Sequence, residues 1–166
     1  MPDAVIVAGA NGAGKTTFAR QLLPLVHPDC VFLNADEIQR EDPAFGRPAA
    51  AGRELLRRLT DRAAIPDSFA IETTLSSRSY ARSIPVWQGR GFIVWLYFLE
   101  VASPDLAVAR VAQRVAAGGH GVPEADVRRR YTRGKALFQT YRSLADAWYH
   151  FRVDQKGSVL VAHKDP

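Results

Sequence analysis

Gly9-Ala10-Asn11-Gly12-Ala13-Gly14-Lys15-Thr16 fits the pattern G-x-x-x-x-G-K-[ST], and its flanks decide the fold. Ahead of it, Ala4-Val5-Ile6-Val7-Ala8 is a short β-branched run that reads as a buried strand. Behind it, Thr17-Phe18-Ala19-Arg20-Gln21-Leu22-Leu23 has helical spacing. Glycines let the backbone turn tightly and aim successive N–H groups at phosphate oxygens, and the positive end of the following helix adds its dipole. In such a loop Lys15 reaches the β- and γ-phosphates and the Thr16 hydroxyl ligates Mg²⁺. Gly9, Ala10, Asn11, Gly12, Ala13, Gly14, Lys15, Thr16 and Thr17 are therefore the candidate contacts of a nucleoside triphosphate. The competing reading, a glycine-rich turn with an accidental lysine, requires the whole pattern to fall between a strand and a helix by chance.

Outward from this loop, composition sets the limits. A chain of 166 residues, 47% hydrophobic and 23% charged, reads as one soluble domain large enough to bury a substantial core. The longest apolar run, Phe92 to Leu99, is strand-sized rather than membrane-spanning, and the sequence shows no signal-peptide pattern. The single cysteine, Cys30, excludes an internal disulfide framework, so a cytoplasmic protein is expected. A net charge of +5 and a pI near 9.7 would suit an anionic partner. The arginines are dispersed over several expected helices, however, and the aromatics sit at core-like spacings, which argues against nucleic acid.

Strand and helix signals then alternate. Val31-Phe32-Leu33 reads as a second strand, reached through a connection bracketed by Pro24 and Pro28 and ending at Asn34-Ala35-Asp36. Gly52, Leu55, Leu56, Leu59 and Ala63 carry helical spacing, and Ser68-Phe69-Ala70-Ile71 is a third strand closed by Glu72-Thr73-Thr74. A helix through Tyr80, Ala81 and Ile84 follows Ser76 to Ser79, with Pro85 expected to kink or shorten it. Phe92 to Leu99 is continuously apolar, as a parallel strand covered on both faces should be. Ser103-Pro104-Asp105 starts a helix that runs to about Ala117. After the glycine-rich loop Gly118 to Val122, Pro123-Glu124 opens a long helix whose apolar stripe is Val127, Tyr131, Gly134, Phe138, Tyr141, Ala145 and Trp148. Phe151 to Val153 and Ser158 to Ala162 are the late strand candidates. The whole reads as a three-layer α/β fold, a mostly parallel five-stranded sheet with helices on both faces.

In such a sheet ligands collect beyond the carboxyl ends of the strands, where the first strand delivers the loop, the second Asp36, and the third Glu72 and Thr74. Asp36 is placed to take the proton of an acceptor hydroxyl in phosphoryl transfer; its bland alternative is to cap a helix beginning near Glu37. Glu72 could hold Mg²⁺ through water or bind acceptor hydroxyls; otherwise it is a surface carboxylate at a strand end. Arg114 is the candidate to stabilise charge on the transferring group, because its helix leads into a glycine-rich loop able to close as a lid. Arg110 shares that helical face and is its rival. Arg128, Arg129 and Arg130 follow the loop, and at least one must point away, since consecutive residues cannot share a helical face. His27, His120, His150 and His163 show no metal-ligand spacing.

Gly9 to Thr16, Asn34-Ala35-Asp36, Ile71-Glu72-Thr73-Thr74-Leu75, Ser103-Pro104 with Arg114, and Gly119-His120-Gly121-Val122-Pro123 together resemble the zeta-toxin family of P-loop kinases, over most of the chain. Members of that family transfer the γ-phosphate of ATP to the 3′-hydroxyl of the amino sugar in UDP-N-acetylglucosamine. The resemblance implies one P-loop kinase domain over residues 1–166, with a lid at about 118–130. It implies Asp36 as general base, Lys15 and Thr16 at the phosphates and Mg²⁺, and Arg114 on the triphosphate. It implies Glu72 and Thr74 at the nucleotide sugar, with Arg78 beside them, and a lid-side arginine best matched by Arg128. The family's toxins carry an extension ahead of the first strand, whereas here the phosphate loop begins at Gly9, which counts against an antitoxin partner. A kinase for another small molecule or a nucleic-acid end stays open, as does a nucleotide-dependent regulatory switch. The switch is disfavoured because no guanine-reading N-K-x-D sequence is present.

Overall fold

The computed structural model describes residues 1–42, 44 and 48–166. Its elements in chain order are β1 (Asp3–Gly9), α1 (Lys15–Val26), β2 (Val31–Leu33), α2 (Ala35–Glu41), α3 (Pro48–Arg62), β3 (Phe69–Thr73), α4 (Ser79–Gly89), β4 (Ile93–Val101), α5 (Pro104–Ala116), α6 (Glu124–Leu144), β5 (Ala147–Asp154) and β6 (Gly157–Lys164). The strands form one sheet in the order β2-β3-β1-β4-β5-β6, with every neighbouring pair parallel except β5 and β6.

β1 takes a central place because all its residues after Asp3 can be buried. Alternate side chains of a strand point to opposite faces, so one run of apolar residues feeds two cores. Ala4, Ile6 and Ala8 join Phe69, Ile71, Val94, Leu96 and Phe98 under α3, α4 and α6. Val5 and Val7 join Ala70, Tyr97 and Leu99 under α1 and α5, which contribute Ala19, Leu23, Ala107 and Val111. The continuous apolar run of β4 is explained by this double cover.

The expected five-stranded sheet has six strands. The turn at Gln155 and Lys156 is too short for a crossover, so the last segment folds back as an antiparallel hairpin on β5. Trp148, expected on the stripe of the long helix, lies in β5 instead. The helix stops because Ala145 is extended and the Asp146 carboxylate accepts hydrogen bonds from the Val94 N–H at 2.8 Å and from Gln88 Nε2 at 3.0 Å. Pro24 lies inside α1, not in the connection after it, and α4 continues past Pro85 to Gly89. No helix among the described residues is long and apolar enough to cross a membrane.

Candidate active site

The phosphate loop is shaped by crowding. Gly12 has φ +81°, and a Cβ there would lie 2.7 Å from the Ala107 carbonyl oxygen, so only glycine lets α5 approach this closely. Gly14, at φ +83°, is the N-cap of α1 and supplies no side-chain cap. The first N–H groups of that helix therefore keep their capacity for an anion.

Lys15 is 8% exposed, and its Nζ donates to the Ala10 carbonyl oxygen at 3.1 Å. Burial lowers its pKa; the negative charges of Glu72 and Asp36 work against that shift, while Arg114 and Arg130 add to it. These charges thus gather on one lysine. Thr16 Oγ1 donates to Glu72 Oε2 at 2.6 Å, which ties the end of β3 to the start of α1. That pair offers the hard oxygens Mg²⁺ takes beside phosphate oxygens and water. Among the described residues, no group of three or more His, Cys, Asp or Glu could hold a metal.

Asp36 is released from the capping task considered for it. Asn34, 3% exposed, is the N-cap of α2, and its side chain accepts from the Asp36 N–H at 2.8 Å. The Asp36 carboxylate accepts no hydrogen bond from any described residue. It is exposed where two cavities meet. One, about 460 Å³, is lined by Asn11, Gly12, Gly14 to Thr17, Glu72, Arg110 and Arg114. The other, about 520 Å³, is lined by Gln39 and Arg40 of α2 and by Gly118 to His120. Thr16, Asp36 and Arg114 belong to both.

The arginines divide by geometry. Arg114 donates to the His120 carbonyl oxygen at 2.7 Å, pinning the glycine-rich loop, and Arg110 donates to the Asp154 carbonyl oxygen at 3.2 Å. Both face the phosphate cavity, so the choice between them is not forced. Arg130 Nη1 donates to Asn11 Oδ1 in the phosphate loop at 3.4 Å. Arg128, the expected lid-side arginine, instead pairs with Asp105 at 2.7 Å and Glu124 at 2.8 Å, and Arg129 pairs with Asp126 at 2.8 Å. The signal that would have selected Arg130 was available: it lies three residues after Val127 and four before Gly134, on the stripe that packs inward.

Thr74 and Arg78 line neither cavity. Thr74 Oγ1 bonds Ser76 Oγ at 2.8 Å, and Arg78 is the N-cap residue of α4 with no side-chain cap bond. The resemblance implies Thr74 and Arg78 at the nucleotide sugar, but the sequence assigns no structural role to the turn that carries them. Leu75 is buried with φ +53°, a left-handed conformation costly for a branched residue. The turn is held by Leu75 N–H donating to Thr73 Oγ1 at 3.1 Å, by Tyr141 OH donating to the Ser77 carbonyl oxygen at 2.8 Å, and by Gly134, whose missing Cβ admits the Thr74 carbonyl oxygen.

The fold is similar to that of solved proteins. The chain matches the PezAT chromosomal toxin–antitoxin system of Streptococcus pneumoniae with a TM-score of 0.69 at 15% identity, covering 98% of this chain and 72% of that one. It matches the AvrRxo1-ORF1:-ORF2 complex with ATP at a TM-score of 0.70 and 16% identity, covering 99% of this chain and 59% of that one. An uncharacterised protein of Haemophilus influenzae is 28% identical over 131 residues, which is 77% of this chain and 91% of that protein. The family model for zeta toxin matches residues 1–165. A phosphate loop closed by Lys15 and Thr16, the Asp36 carboxylate in the same cavity, and a match spanning nearly the whole chain lead to one conclusion: the protein is an ATP-dependent phosphotransferase belonging to the zeta-toxin family.

Proposed function

We propose that the protein transfers the γ-phosphate of ATP to a hydroxyl of a nucleotide sugar, with UDP-N-acetylglucosamine as the first acceptor to test. One observation carries this reading: the Asp36 carboxylate stands without a hydrogen-bond partner among the described residues, at the junction of the phosphate cavity and a second cavity. A switch that only positions water has no need of a second cavity beyond its base. In the proposed reaction Asp36 accepts the proton of the acceptor hydroxyl as that oxygen bonds to the γ-phosphorus. The bond from phosphorus to the β–γ bridging oxygen breaks, and ADP leaves. Lys15 gives up the Ala10 carbonyl for a phosphate oxygen, and Arg114 and Arg130 counter charge on the transferring group. Thr16 and Glu72 would hold Mg²⁺, the latter through water, which supplies neutralisation of phosphate charge.

The toxin–antitoxin system among the similar structures makes an antitoxin a partner class to test by co-purification, and a cytoplasmic location is proposed with it. The direct test is ATP consumption and product detection with UDP-N-acetylglucosamine, with Asp36→Asn in parallel. Transfer in the variant is expected to fall by about 10²–10⁴-fold with ATP binding retained. Undiminished transfer would remove Asp36 from the role of base.

A further inference from the structure

Glycine in the interior of a helix is disfavoured against alanine, because its backbone has more freedom to lose. Gly134 nonetheless sits in the middle of α6, buried against the turn that follows β3. Resting on the role proposed above for Arg130, we infer that Gly134 is a positioning residue for that arginine. By letting α6 settle on the Thr74 carbonyl oxygen, it brings the guanidinium within reach of the triphosphate.

The stretch Arg130 to Lys135 crosses the carboxyl ends of β1, β3 and β4. Arg130 Nη1 donates to Asn11 Oδ1 in the phosphate loop after β1, at 3.4 Å. Tyr131 OH donates to the Val101 carbonyl oxygen at the end of β4, at 3.1 Å, and Lys135 pairs with Glu100 of the same strand at 2.7 Å. Gly134 stands against the Thr74 carbonyl oxygen after β3, with no room for a Cβ. Arg130 and Gly134 lie one helical turn apart on one face, so whatever lifts α6 off that carbonyl carries the root of Arg130 with it.

The turn beneath α6 is fixed from several sides. Leu75 is fully buried at φ +53°, its N–H donates to Thr73 Oγ1, and Tyr141 OH donates to the Ser77 carbonyl oxygen. A Cβ at position 134 therefore moves the helix rather than the turn, by roughly 1 Å. The contact of Arg130 with Asn11 is already at the limit of a hydrogen bond and has no such distance to spare. The Arg130 side chain is half-buried, which restricts the rotamers that could recover it. Its charge also acts on Lys15, so the guanidinium faces the same phosphate cradle. A misplacement of about 1 Å in such a constellation costs up to about 10²-fold.

Calorimetric titration with Mg²⁺ and the non-hydrolysable analogue AMP-PNP reads the effect with no acceptor present, so its outcome is separate from the acceptor's identity. Arg130→Gln is expected to weaken binding about tenfold, as loss of one charge-assisted contact predicts. Gly134→Ala should weaken it by a similar factor. In the Arg130→Gln background the same exchange should cost less than about twofold, because the charge it displaces is already gone. Gly52→Ala in α3, where a Cβ meets nothing within 4 Å, should bind like the native protein. Tyr131→Phe loosens the same stretch from β4 without added bulk; it should weaken binding about threefold and lose that effect beside Arg130→Gln. This second variant carries the test if circular dichroism shows Gly134→Ala unfolded. Native affinity in the folded variant, or a loss that multiplies in full with that of Arg130→Gln, overturns the inference. Undiminished binding by Arg130→Gln alone overturns the role of Arg130, and the inference with it.

Discussion

Gly134→Ala sets two physical effects against each other. In the interior of an exposed helix this exchange stabilises by about 1 kcal/mol, because alanine has less backbone freedom to lose. At Gly134 a Cβ would overlap the Thr74 carbonyl oxygen and approach Leu75 Cβ to 3.9 Å. A carbon against a carbonyl oxygen wants about 3.3–3.6 Å, so α6 or the turn must shift by roughly 1 Å. The turn cannot yield cheaply, because Leu75 is already left-handed and fully buried. Overpacking of this kind costs about 1–3 kcal/mol. The net is a destabilisation of up to about 2 kcal/mol, read as a fall in Tm of up to about 8 °C for a chain of this size. Thermal and urea unfolding of native and variant proteins measure it, with the second testing for an unchanged m-value. An increase in Tm would show that helix propensity wins and that α6 does not press on this turn.

Lys15→Met should abolish transfer, by at least about 100-fold, yet make the nucleotide-free protein more stable at neutral pH, because it removes a charge that burial disfavours. The sign with pH follows from the lowered pKa. Between that folded value and the ordinary 10.5 the unfolded chain binds more protons, so native stability rises with pH and the gap to Lys15→Met should narrow. A gap independent of pH in urea titrations would refute the assignment. Arg130→Gln should lower kcat/KM for ATP by about 10–100-fold, whereas Arg128→Gln, losing only surface ion pairs, should leave turnover unchanged. Equal losses in the two variants would show that the helix is turned differently from the structure.

The phosphate loop, its strand and its helix were legible because their signal is local: glycine positions, a β-branched run and a helical period all lie within two dozen consecutive residues. Asp36 and Glu72 were legible for a less local reason, since parallel strands bring their carboxyl ends to one edge of the sheet. Other features depended on which residues from distant segments compete for the same partner. Asn34 relieved Asp36 of capping, and Arg20 and Arg58 took the carboxylates of Glu37 and Glu41. Asp146 ended α6 by bonding β4, so Trp148 fell into a strand although its spacing continues the helical stripe.

By itself the sequence determined that a triphosphate cradle opens this chain and that strands and helices alternate behind it, because backbone freedom, β-branching and helical period act between near neighbours. Tertiary structure alone decided which arginines are drawn into ion pairs, that Thr16 meets Glu72, and that Asp36, with no hydrogen-bond partner for its carboxylate among the described residues, lies where two cavities meet. Those outcomes are settled by contacts across tens of residues, where each carboxylate can satisfy only the few donors that packing brings to it.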